Sequence, residues 1–174
     1  MSSPGKYFLV AAAVVLAYVG IRNWYFTPNV VEEGIATDFS ATLIDGRSFQ
    51  LKELEGEFTF LEFWGSWCAP CRNESASVAF LKQAYPKLQM VSIGVERDSA
   101  AWRRAISDLQ KDWPYHIMDG TGSLKFLDGP IADFYGVNKV PTHFLIDPNG
   151  QVVSTSDNLY DIQRILQFHY ARRN

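Results

Sequence analysis

An apolar run, Phe58 to Trp64 (FTFLEFW), passes through Gly65-Ser66-Trp67 directly into Cys68-Ala69-Pro70-Cys71, after which Cys71, Val78, Leu81 and Tyr85 repeat at helical spacing. A strand apolar on both faces needs cover on both sides, and helices supply it. Pro70 suits the first turn of the helix that follows, because the first amide hydrogens of a helix have no internal acceptor. Strand, tight junction and helix therefore commit the chain to an α/β architecture. The chain's 2 cysteines both sit at that junction, which excludes a disulfide-framework scaffold and a four-thiolate zinc site by count.

The flanking sequence extends this unit. Phe39 to Leu43 and Phe49 to Leu51 alternate around Asp45-Gly46, the pattern of a hairpin. Leu88 to Val95 predicts a second buried strand, and Asp98 or Ser99 caps a helix with the face Trp102, Ile106, Leu109 and Trp113. Met118 to Pro130, rich in Gly and Asp, reads as a loop. Thr142 to Ile146 and Gln151 to Thr155 form strands around the turn Asp147-Pro148-Asn149-Gly150, and a last helix from near Asn158 buries Leu159, Ile162, Ile165 and Leu166. The expected fold is α/β: a mixed sheet flanked by helices, with an N-terminal β-hairpin. A length of 174 residues fits one domain plus an appendage. With 16 Lys+Arg against 19 Asp+Glu, the net charge of -3 leaves no basic field to hold nucleic acid.

The appendage is the amino end. Tyr7 to Ile21 carries no charge, between Lys6 and Arg22. At about 1.5 Å per residue the run covers roughly 22 Å, short of a hydrocarbon core of about 30 Å. Continuing through Trp24, Tyr25 and Phe26, with Arg22 snorkelling, adds length and an aromatic belt. A cleaved signal peptide is the competing reading, but Ala17-Tyr18-Val19 and Tyr18-Val19-Gly20 fit a cleavage site poorly. Residues 1–28 are thus expected to be a transmembrane anchor with its flanks, 29–35 a linker, and 36–174 the domain.

Two thiols three apart at a helix start can close a disulfide across the first turn, and the helix N-terminal field stabilises a thiolate there. Cys68, at the rim, is the expected nucleophile. Cys71, one turn in and facing the apolar stripe, is the expected resolver of the mixed disulfide. Zinc would need two further ligands, and His116, His143 and His169 are scattered. A copper-binding and delivery module using Cys68, Cys71 and His143 is the alternative from a different class. His143 is read first as a strand histidine satisfied by its neighbours and second as a ligand.

Thr37-Asp38-Phe39, Leu43-Ile44-Asp45-Gly46, Phe63 through Arg72, Tyr135-Gly136-Val137 and Val140-Pro141-Thr142 before Phe144-Leu145-Ile146-Asp147 follow one another in an order that resembles the thioredoxin superfamily. The closest resemblance is to its TlpA/ResA-like membrane-anchored thiol-disulfide oxidoreductases. It covers roughly Ala36 to Thr155. The resemblance implies a thioredoxin-like fold, no cofactor and no metal, and a reductase acting on protein disulfides with an upstream thiol electron donor. It also implies a single-pass position in the cytoplasmic membrane, with the domain facing the periplasm or exterior. Pro141 would be a cis proline packed against the cysteines, and Trp67, Val140 and Pro141 would contact substrate. Glu62 matches a buried acid beneath the pair, and Glu74 an acid one turn after the second cysteine. Burial in an apolar strand predicts a raised pKa for Glu62 and a proton exchanged with Cys71. Glu74 also reads as a solvated acid favoured by the helix dipole. Neither acid is expected to be needed for folding. The stretch Gly120 to Pro130 is longer than the family's usual connection.

Overall fold

The computed structural model describes residues 4–26, 34–120, 127 and 129–171. A helix, α1 (Pro4–Phe26), precedes a short hairpin, β1 (Ser40–Thr42) and β2 (Ser48–Gln50), closed by Gly46 at φ 88°. The apolar run becomes β3 (Thr59–Trp64), buried along its whole length, and α2 (Ala69–Ala84) follows with Cys68 as its N-cap. Then come β4 (Gln89–Glu96), α3 (Ser99–Asp108), β5 (Tyr115–Gly120), α4 (Pro130–Phe134), β6 (Thr142–Ile146), β7 (Val152–Ser156) and α5 (Leu159–Ala171).

The main sheet has the order β5-β4-β3-β6-β7. β3 to β5 run parallel, while β6 is antiparallel to β3 and β7 to β6. The sheet is mixed, as the closing hairpin requires. One face packs against α2, α3 and α5. The other is covered by the β1–β2 hairpin, whose Leu43 bridges Ile117, and by α4 and the Tyr135 to Val137 segment. Helices thus dominate one face only, which corrects the expectation of helices on both.

Two further expectations change. The Trp102 stripe does not continue to Trp113: α3 ends at Asp108, Gln110 takes φ 52°, and Lys111 turns into the interior. The expected Met118 to Pro130 loop begins as β5 and ends as α4, whose first amides donate to the buried Asp119 carboxylate. Residues 121–126 and 128 of the long connection lie outside the described residues. So does most of the 29–35 linker, although Gly34 and Ala36 already hydrogen-bond to Val152 and Gly150.

On the α2 face, one register row is polar from edge to edge: His116, Ser92, Glu62, His143 and Ser156 are successive Cα partners across the strands. Directly opposed residues share a face. This row divides an apolar cluster around Phe60, Leu81 and Ile162 from the one holding Trp64, Cys68, Cys71 and Trp102.

α1 extends to Phe26, and its described apolar side chains, among them Leu9, Val10, Val14, Val15 and Leu16, are exposed. Among the described residues no helix is long and apolar enough to cross a membrane, so the expected transmembrane span is not supported there.

Candidate active site

Cys68 and Cys71 are joined in a disulfide, with Cα atoms 5.3 Å apart. Cys68 caps α2 through its sulfur, which accepts the Cys71 N–H at 3.2 Å. A thiolate at this position would keep that hydrogen bond and gain the helix N-terminal field. Cys68 is 4% exposed and Cys71 0%. Cys68 is therefore the outer of the two, but less accessible than its rim position in the sequence predicts. The peptide bond Val140–Pro141 is cis, and the Val140 carbonyl oxygen lies 3.6 Å from Cys68 Sγ. Both sulfurs are in the disulfide, so this is a contact without a thiol hydrogen. Trp67 is 47% exposed, with its indole N–H held by the Val95 carbonyl at 3.0 Å.

Glu62 is buried as expected, but its partner overturns the rest of the expectation. Lys111 Nζ donates to both carboxylate oxygens at 2.7 Å, Ser92 donates at 2.6 Å, and Trp113 N–H donates to Ser92. Burial alone would raise the Glu62 pKa; the ammonium and the hydroxyl outweigh it and hold the carboxyl below its ordinary value. Glu62 is therefore ionised at neutral pH and does not exchange a proton there. Its ammonium partner sits 4.5 Å from the Trp64 ring centroid, and Trp64 packs with the cysteines.

Glu74 turns inward. Its Oε1 lies 3.1 Å from Nε2 of His143, with the glutamate side chain 19% exposed and the histidine 0%. The two atoms approach without hydrogen-bond alignment, and His143 Nδ1 is also buried without a hydrogen-bond partner among the described residues. His143 stacks on Phe60 at 5.2 Å and faces Glu62 across the β3–β6 register. His143 is thus the buried strand histidine of the first reading, except that its ring nitrogens lack hydrogen-bond partners among the described residues.

A third acid was not anticipated. Glu96, at the end of β4, accepts hydrogen bonds from Ser66 N–H and, at 3.2 Å, Ser66 Oγ, pinning the loop that carries Trp67 and Cys68. Burial raises its pKa against those two bonds. The signal was present: an acid ending a run of buried residues, two positions beyond the Gly94 that pairs with Trp64. Beside this loop a cleft of about 210 Å³ is lined by Ser66, Arg72, Arg104 and Asp108, among others. Among the described residues no group of three or more His, Cys, Asp or Glu could hold a metal ion, so the copper reading gains nothing from the geometry.

Comparison with known proteins agrees with this arrangement. The Bacillus cereus (strain ZK / E33L) thiol-disulfide oxidoreductase ResA is 31% identical over 123 residues, which are 68% of this chain and 65% of that protein. The chain thus spans just under two thirds of the length of that relative. ResA of Halalkalibacterium halodurans is 25% identical over 163 residues, covering 92% of this chain and 88% of its own. Among solved structures, a DsbE-like thiol:disulfide interchange protein of Chlorobium tepidum superposes with TM-score 0.67 at 24% identity, covering 82% of this chain and 98% of that one, and so supports the fold. A secreted disulfide oxidoreductase of Mycobacterium tuberculosis gives 0.60 at 26% identity, over 69% of this chain and 83% of its own. A cysteine pair capping the helix that leaves a central buried strand, opposite a cis proline, is carried on a segment, residues 33–155, that matches the AhpC/TSA family, and to that thioredoxin-like family the chain belongs.

Proposed function

We propose that the chain is a thiol-disulfide oxidoreductase that reduces protein disulfides through Cys68 and Cys71. The observation that carries this reading is the Cys68–Cys71 disulfide at the N-terminus of α2, against the Val140 carbonyl. Reduced, Cys68 attacks a substrate disulfide, its thiolate favoured by the Cys71 amide and the helix field. Cys71 then displaces the substrate from the mixed disulfide. Trp67, exposed beside Cys68, and the Val140–Pro141 backbone supply the surface against which a substrate segment lies. An upstream thiol donor regenerates the dithiol. Glu62 acts here as a fixed charge, paired with Lys111 near the Trp64 ring.

The same reading places the domain outside the cytoplasmic membrane, tethered by α1. Its support is the uncharged Tyr7 to Ile21 run and the exposed apolar side chains of that helix.

Cys71→Ser in the full chain should accumulate mixed disulfides with substrate proteins, seen as adducts that collapse on reduction, whereas Cys68→Ser should trap none. Equal trapping by both variants would refute the assignment of attack to Cys68. A chain that binds Cu(I) tightly but reduces no disulfide would replace the enzyme reading with the binding one.

A further inference from the structure

The cleft beside the Ser66 loop has no part in the exchange chemistry itself, yet it borders the attacking cysteine. Its lining includes Ser66 from the loop after β3, Arg72 from the first turns of α2, and Ala101, Arg104, Ala105 and Asp108 from α3. Ser66 stands two positions before Cys68, and the Arg72 N–H donates to the Cys68 carbonyl at 3.1 Å. Ala101 and Ala105, one turn apart on α3, are too short to fill the space in front of them. Arg72, Arg104 and Asp108 are exposed. Among the described residues neither guanidinium makes a salt bridge or a hydrogen bond. Arg104 and Asp108 have the i, i+4 spacing at which helical ion pairs close, but no such pair joins them. The other carboxylates near the cleft are already engaged. Glu96 accepts the Ser66 N–H and hydroxyl behind the loop, and Asp98, which also feels the Arg104 charge, accepts the Ala100 and Ala101 N–H groups. Two cations brought to one cleft by separate helices repel, and an anion between them removes that repulsion. The fork of donors on a guanidinium matches a carboxylate.

We propose that this cleft is a subsite for a substrate carboxylate, an Asp or Glu side chain flanking the disulfide that Cys68 attacks, held between Arg72 and Arg104. The proposal rests on the thiol-disulfide exchange reading and names its substrate class: protein disulfides with acidic neighbours. The net charge of -3 gives the chain no general attraction for such partners, so the preference is local to the cleft. Asp108 opposes it from the same lining, one anion against two cations. All three charges are solvated, so the subsite selects among substrates by a modest, salt-sensitive factor rather than by tight binding.

The test uses the reduced full chain under stopped flow with two disulfides, dithiobis(nitrobenzoate), which carries a carboxylate on each ring, and neutral dithiodipyridine. The ratio of the two attack rates is the readout, because any change in the reactivity of Cys68 itself enters both rates and cancels. Arg72→Gln and Arg104→Gln should each lower the ratio of the anionic to the neutral rate by about twofold to fivefold at low ionic strength. Arg104→Lys should retain part of it, and Asp108→Asn should raise it by a similar factor. At about 0.5 M salt most of these differences should vanish. Arg164→Gln removes one exposed charge on α5, outside the cleft, and should leave the ratio at the wild-type value. Disulfide-linked dimers of the blocked peptide Gly-Glu-Cys-Gly should likewise be reduced faster than those of Gly-Gln-Cys-Gly, and equal rates would overturn the proposed substrate class. Wild-type ratios in both arginine variants would overturn the subsite while leaving the enzyme reading intact, since both reagents are still reduced. An equal fall in Arg164→Gln would overturn it by tracing the effect to overall charge. A reduced wild-type chain that attacks neither reagent would overturn both readings.

Discussion

The residue that most changes its meaning between sequence and structure is Glu62. In the sequence it is an acid in an apolar strand, and desolvation argues for a raised pKa; in the fold Lys111, 49 positions away, donates to both its oxygens. No local pattern links the two, because Lys111 reaches the interior only after α3 stops and the chain reverses at Gln110. Removing one partner of a buried ion pair strands the other, at about 3–5 kcal/mol. Glu62→Gln should therefore lower unfolding stability by about that amount at pH 7, measured by urea denaturation, which reverses the expectation that this acid is dispensable for folding. The folded pKa lies below the unfolded value, so the pair's contribution is present above the unfolded pKa of about 4.3 and is lost as pH falls through the folded one. The stability gap between wild type and Glu62→Gln should accordingly close on acidification below about pH 4. The cysteine pair, Trp67 and the Val140–Pro141 turn were legible from motif and resemblance. The Glu74–His143 contact was not, since it depends on the register of two strands and the inward rotation of a helical acid.

Among the elements, β3 and α2 were readable to within a residue because an almost unbroken apolar run and the stripe Cys71, Val78, Leu81 mark them, in spite of the buried Glu62 and Ser75. β5 was missed altogether because it buries His116 and Asp119, polar residues whose partners, the Lys111 carbonyl and the α4 amides, are tertiary. Burial by a partner defeats a period-two reading. The seating of α3 on β4 depends on Gly94, where an added Cβ would collide with the indole of Trp102, itself 2% exposed. A buried indole with no room to move cannot yield, so Gly94→Ala should cost about 1–3 kcal/mol in overpacking. Urea unfolding together with the stopped-flow assay will separate that loss from any displacement of Cys68, which shares a cluster with Trp102.

For the whole molecule, none of the three core clusters among the described residues draws on α1. Deleting residues 1–33 should therefore shift the thermal midpoint by less than about 2 °C while moving the chain from the membrane to the soluble fraction. The full chain should in turn react with a membrane-impermeant thiol reagent added outside the cell once its disulfide is reduced. Recovery of the full chain as a soluble protein would refute the tether. The strand order carries a consequence for how the site comes into being. Cys68 and Cys71 are 3 positions apart, whereas Cys68 and the Val140 carbonyl are separated by 72. Short loops close early and long ones late. During synthesis at about 5–20 residues per second, the interval between the emergence of Cys68 and that of Val140 is about 4–14 seconds. Throughout it the two cysteines are an ordinary exposed dithiol, open to any oxidant they meet. Selectivity for substrate arrives only when β6 docks, so the nascent chain passes through a period in which it is a client of the chemistry it will later perform.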